Sequence, residues 1–76
     1  MTMQIRRLPP ELWMQQLFDA KSARQGGVVR RKLADVECNV GLDAFLAEIR
    51  RRGYHAVENS GQVVVFCNNA PINLLH

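Results

Sequence analysis

Three consecutive arginines, Arg50, Arg51 and Arg52, stand immediately before Gly53, and a second basic run, Arg30, Arg31 and Lys32, lies earlier in the chain. Guanidinium and ammonium groups neutralise phosphates and release their condensed counterions. An arginine fork also matches the hydrogen-bonding edge of guanine. Asn59, Ser60 and Gln62 add short polar side chains of the kind that touch a nucleic-acid backbone. The chemistry on offer is anion binding rather than bond making. The candidate contact residues are Arg30, Arg31, Lys32, Arg50, Arg51, Arg52, Asn59 and Gln62. A solvated protein surface uses the same residue types, and Asp35, Glu37 and Glu48 are close enough in sequence to pair with some of them.

Other reactive residues are sparse. Cys38, Cys67, His55 and His76 have the atom types of a zinc site, but their spacing matches no zinc pattern and no close pair anchors them. Gly26-Gly27 stands alone rather than within a phosphate-binding loop, and no carboxylates cluster for acid–base work. The two cysteines are far apart and outside CxxC spacing, as buried thiols in a reducing compartment are. No catalytic residue, metal or cofactor is assigned, and the expectation is a protein that is not an enzyme.

The elements that position the basic residues follow from periodicity. Pro9 and Pro10 suit the first turn of a helix, Glu11 suits its positive end, and Leu12, Trp13, Leu17 and Ala20 recur at helical spacing. A first helix is predicted over Pro10 to Arg24, stopped by Gln25-Gly26-Gly27. Val28 and Val29 could form a very short strand; beyond them Val29, Leu33, Val36 and Val40 step by four, three and four, which predicts a second helix over Arg30 to Cys38. Leu42, Phe45, Leu46 and Ile49 define a third, from Leu42 to Arg52, with Asp43 at its start, arginines at its end and Gly53 as its left-handed stop. Tyr54 to Glu58 and Gln62 to Cys67 read as strands joined by a turn at Asn59-Ser60-Gly61. The second strand is apolar on both faces, so it belongs in the centre of a small sheet or under a partner.

The fold class expected is therefore α+β: one small domain over residues 1–76, with about three helices followed by a β-hairpin. Residues 1–8 form a flexible lead-in and residues 70–76 a short apolar tail. The expected core is Leu12, Leu17, Leu33, Val36, Phe45, Leu46, Ile49, Val57, Val63 and Val65. With 47% hydrophobic and 22% charged residues the chain has the composition of a globular domain, not a disordered one. At 76 residues it has little room for a deep catalytic cleft and its supporting shell. The net charge of +3 suits an anionic partner. The longest apolar run, Val63 to Cys67, is strand-sized, so a cytoplasmic protein without a membrane span is expected.

The segment Phe45-Leu46-Ala47-Glu48-Ile49-Arg50-Arg51-Arg52-Gly53-Tyr54 resembles the end of the third helix of winged-helix DNA-binding regulators, where it runs into the first wing strand. Asn59-Ser60-Gly61 would be the wing tip, and the likeness extends over Pro10 to Cys67 as an order of elements. It implies a small DNA-binding regulator, either a transcriptional regulator or an excisionase-like factor, with duplex DNA as partner, and it expects Arg30 to Lys32 and Arg50 to Arg52 on one face. Helix followed by hairpin also resembles the α-β-β core of small toxin endoribonucleases. In that family a histidine follows a Gly-Ser pair at the hairpin turn. Here Ser60-Gly61-Gln62 stands at the turn and His55 lies on the other strand, so the expected general base is missing.

A competing expectation comes from the apolar residues. Leu12, Trp13, Met14, Leu17 and Phe18 form a wide helical stripe, and Ile72, Leu74 and Leu75 are apolar at the end of the chain. Such a surplus fits a protein-binding adaptor or antiactivator that masks a larger regulator, or a homodimer.

Overall fold

The first helix starts where its sequence dictates. Pro10 occupies the first turn, where a missing N–H costs nothing, and Glu11 follows at the positive end of the dipole. In the computed structural model, which describes residues 8–76, this helix (α1) runs Pro10–Asp19. The lead-in expected over Met1 to Leu8 lies outside the described residues except for Leu8.

The predicted continuation to Arg24 is interrupted. Ala20 leaves helical geometry at φ −57°, ψ 148°, and a single turn (α2, Lys21–Arg24) begins again with the Arg24 N–H donating to the Ala20 carbonyl at 3.0 Å. The bend lets Leu17, Phe18 and Ala23 all enter the core. The turn ends with Gly26 at φ +75°. There the Gly26 N–H donates to Ala23 O at 3.0 Å and the Gly27 N–H to Ser22 O at 2.7 Å, the paired bonds of a Schellman stop.

Then come β1 (Val28–Lys32), α3 (Leu33–Asn39), α4 (Leu42–Arg52), β2 (His55–Asn59) and β3 (Gln62–Phe66). The helix expected over Arg30 to Cys38 thus begins only at Leu33, and Arg30, Arg31 and Lys32 are strand residues. The cause is tertiary. Each of the three pairs with β3, opposite Val64, Val63 and Gln62, and a central strand needs a partner on both sides. The result is a three-stranded antiparallel sheet in the order β1-β3-β2, so the two-sided apolar strand is central, as its sequence requires. The ladder continues past the strand: the Cys67 N–H donates to Gly27 O at 2.8 Å.

The end of α4 follows its sequence closely. Gly53 is left-handed at φ +75°. The Gly53 N–H donates to Arg50 O and the Tyr54 N–H to Ile49 O, both at 3.0 Å, again the Schellman pair. The β2–β3 turn has Ser60 at φ +51° and Gly61 at φ +75°, the two positive values of a type I′ turn.

The core lies between the helices and one face of the sheet. Phe45 and Val36 are fully buried, joined by Leu17, Phe18, Ala23, Val29, Ile49, Val63, Val65 and Cys67. The Phe45 ring meets Trp13 edge-on and stacks with Phe18, each at 6.5 Å between centroids, and Phe18 meets Tyr54 at 5.8 Å. Leu33 and Leu46 pack against this core only half-buried. Two expected core residues, Leu12 and Val57, are instead exposed, at 39% and 42%. Val57 pairs with Val64, so it lies on the sheet face away from the helices, while its neighbour Ala56 takes the inward place. Among the described residues no helix is long and apolar enough to cross a membrane.

Candidate nucleic-acid interface

Strand alternation sorts the candidate side chains. Val29, Val63 and Val65 point into the core, so Arg30 and Lys32 of β1 and Gln62, Val64 and Phe66 of β3 lie on the opposite, outer face. The register adds His55, Val57 and Asn59 of β2 to that face. Three rows therefore cross it: Val28–Phe66–His55 at one end, Arg30–Val64–Val57 in the middle and Lys32–Gln62–Asn59 beside the hairpin turn. Four of the eight candidates, Arg30, Lys32, Gln62 and Asn59, come together here. No position of the three strands on this face is acidic. Among the described residues, the one carboxylate lining the shallow groove of Arg30, Arg31, Lys32 and Gln62 is that of Asp35, from the first turn of α3.

Arg31 takes the inward register position, opposite Val63, and lines a second groove with Leu8, Trp13, Gln16 and Leu17. Its Nη1 donates to the Arg30 carbonyl at 2.6 Å. It therefore adds positive charge beside the hairpin end without sharing the face of Arg30 and Lys32.

The second basic run is divided. Arg50 is exposed at the end of α4. Arg51 and Arg52 both turn back to Glu48. Arg51 makes a two-pronged contact, Nε to Oε1 at 2.8 Å and Nη2 to Oε2 at 2.6 Å, and Arg52 Nε donates to Oε2 at 2.7 Å. The spacings of three and four are those at which helix side chains meet. The Arg51 hydrogen bonds, with those of Arg52, hold the Glu48 carboxyl down at about 2 against the partial desolvation that opposes them. Arg51 remains 68% exposed, so its fork can leave Glu48 at small cost; Arg52 is 29% exposed, with its guanidinium carbon 4.3 Å from the centroid of the Phe18 ring.

The two basic runs do not form one cluster, against the expectation that they share one face: Arg30 and Lys32 lie on the outer sheet face and Arg50, Arg51 and Arg52 at the end of α4. Arg52 leads through Gly53 and Tyr54 into His55, at the end of the sheet away from the Lys32–Gln62–Asn59 row. Four residue steps separate those ends, a distance of about 13 Å for the Lys32 row, with Arg30 one row nearer.

The remaining reactive groups stay apart. Cys38 is exposed on α3, while Cys67 is buried in the core, where desolvation pushes its thiol up. Among the described residues no three of His, Cys, Asp and Glu gather as a metal site would require. His55 is half-buried on the outer sheet face, paired in register with Phe66. Sequence reasoning missed this outer-face row of Val28, Phe66 and His55. Its signal was the strand alternation itself, once β1 is known to be a strand. Compared with protein-family models, curated proteins and solved structures, the chain matches none of them.

Proposed function

We propose that this chain is a small DNA-binding regulatory domain that meets duplex DNA through its hairpin and the adjoining strand β1. The observation that carries the reading is the Lys32–Gln62–Asn59 row beside the type I′ turn, with Arg30 in the next row and no acidic strand residue on that face. Lys32 and Arg30 supply phosphate neutralisation, and Gln62 and Asn59 supply neutral hydrogen bonds to phosphate or sugar. Arg50, exposed at the end of α4, is a second contact point, and Arg51 joins it by releasing Glu48. Arg52 is assigned to holding the fold.

The order of elements supports the same reading. A strand between the first helices and a helical pair, then a hairpin whose second strand lies centrally, resembles the arrangement of winged-helix domains. On that likeness α4 would face the major groove, but α4 packs on the inner side of the sheet while the Lys32–Gln62–Asn59 row lies on the outer side, so the proposal departs from the likeness and seats the duplex on the hairpin. The exposed positions of α4 before the arginines are Asp43, Ala44 and Ala47, none of which carries a side-chain donor. Affinity would therefore come mainly from phosphate contacts, with modest sequence discrimination. Titration of a labelled mixed-sequence duplex with the wild type, Lys32→Ala and Arg50→Ala tests the reading. Micromolar binding that each variant weakens is expected; no binding at low salt would overturn it.

A second reading, a protein-binding adaptor, is favoured by one observation. Leu74 and Leu75 are 90% and 96% exposed at the end of an irregular apolar segment that also carries Ile72. This reading predicts that Leu74→Ser/Leu75→Ser leaves duplex affinity unchanged while abolishing association with a protein partner.

A further inference from the structure

The outer sheet face carries apolar side chains at one end and the cations Arg30 and Lys32 with neutral polar side chains towards the other. Phe66 stands on the central strand with His55 beside it on β2 and Val28 beside it on β1. Arg30 lies diagonally from Phe66, one row along, and Lys32 one row further. The rings of Phe66 and His55 are half-buried, and Val28 and Val57, on the flanking strands, are exposed. A second copy of the chain is a poor occupant for this surface. A two-fold interface sets a patch against itself, so Arg30 and Lys32 would confront their own copies with Asp35 as the one carboxylate lining their groove among the described residues. A polyanion that also carries flat apolar rings satisfies both halves of the face.

We propose that this face binds single-stranded nucleic acid, with bases stacked on Phe66 and His55 and the backbone that runs along the β1 side of Phe66 held by Arg30 and Lys32. Stacking on an open sheet combined with a cationic track is how a single strand is held without sequence readout, because every base offers a π-face. Phe66 supplies the platform from the strand fixed on both sides, so its position is set by two ladders. Arg30 lies about 7–8 Å away on the diagonal, within reach of the phosphate of a stacked nucleotide. The inference rests on the nucleic-acid reading above and adds the form of nucleic acid the sheet accepts.

The test is fluorescence anisotropy with a labelled twelve-nucleotide oligothymidylate and, separately, a labelled duplex. The proteins are the full-length wild type, His55→Ala, Phe66→Leu and Arg50→Ala, each first shown by circular dichroism to fold. Phe66→Leu keeps the apolar contact and removes the ring. The expected result is salt-sensitive oligothymidylate binding that His55→Ala and Phe66→Leu each weaken about fivefold or more, with duplex binding unchanged in both. Oligothymidylate binding that is absent, or equal in wild type and ring variants, overturns the sheet platform, and duplex binding retained in that case leaves the hairpin reading standing. Loss of duplex binding alone overturns the hairpin reading and leaves the platform. A wild type that dimerises and binds no oligothymidylate overturns the platform in favour of a second copy.

Discussion

The guanidinium of Arg52 lies 4.3 Å from the centre of the Phe18 ring while its Nε donates to Glu48 at 2.7 Å. One side chain thus ties α4 to α1 through a cation–π contact and to its own helix through an ion pair. Truncation to Arg52→Ala removes both and exposes the Phe18 face. The expected loss is about 1–2 kcal/mol, read from urea unfolding. Arg52→Lys keeps the charge but not the planar fork, and recovers only part of it. A neutral outcome for Arg52→Ala would show that the contact contributes nothing to stability.

Glu48 makes that clasp sensitive to acid. Its carboxyl sits at about 2 when folded, held mainly by the Arg51 hydrogen bonds, against 4.5 as the ordinary value. A folded value below the unfolded one means that the stabilisation is complete above about pH 5 and disappears as pH falls towards about 2. Wild type therefore loses more thermal stability than Glu48→Gln between pH 6 and pH 3, and the gap between their melting temperatures narrows. A gap that stays constant with pH would contradict the ion-pair account.

Phe45 is a fully buried ring of the core, in contact with Trp13 and Phe18. Phe45→Ala should cost about 3–5 kcal/mol. That approaches the whole stability of a chain this short. Chemical denaturation should show a variant mostly unfolded at 37 °C, and a loss below about 1 kcal/mol would mean that the core is not organised around this ring.

The hairpin tip offers a change in the other direction. Ser60 sits at φ +51°, a region costly for a side-chain-bearing residue but tolerated by asparagine. Ser60→Asn produces the Asn-Gly pair that type I′ turns favour and should raise stability by about a few tenths of a kcal/mol. Gly61 has φ +75°, and a methyl group on its Cα would meet no atom within 4 Å. Gly61→Ala should therefore lose about 1 kcal/mol through backbone strain alone. Paired thermal melts of the two variants check both signs.

Much of this architecture was legible because local signals agreed with tertiary ones. The Leu42–Arg52 helix, its Gly53 stop, the Ser60-Gly61 turn and the central position of β3 each rest on neighbours in sequence. Strand β1 was legible only as a very short strand at Val28 and Val29, and its extension through Arg30, Arg31 and Lys32 was not. Its one core position, Val29, continues the spacing of Leu33, Val36 and Val40, and its other inward position is Arg31, so no apolar alternation marks it. The bend at Ala20 carries no glycine or proline, so no local signal in the sequence marks it. In the candidate site, the pairing of Glu48 with Arg51 and Arg52 could be read from spacing. The contact of Arg52 with Phe18 could not, because it depends on how α1 crosses α4. The separation of the two basic runs depended in turn on β1.

The most direct test of the DNA-binding account is the salt dependence of duplex affinity. With Arg30, Lys32, Arg50 and Arg51 as phosphate contacts, the plot of log affinity against log salt concentration should fall with a slope of about −3 to −4. Lys32→Ala and Arg50→Ala should each reduce that slope by about one, and Arg52→Ala should leave it unchanged in protein that remains folded. A slope near zero, or one that responds to Arg52→Ala but not to Lys32→Ala, would contradict the assignment of the hairpin face as the DNA-binding surface.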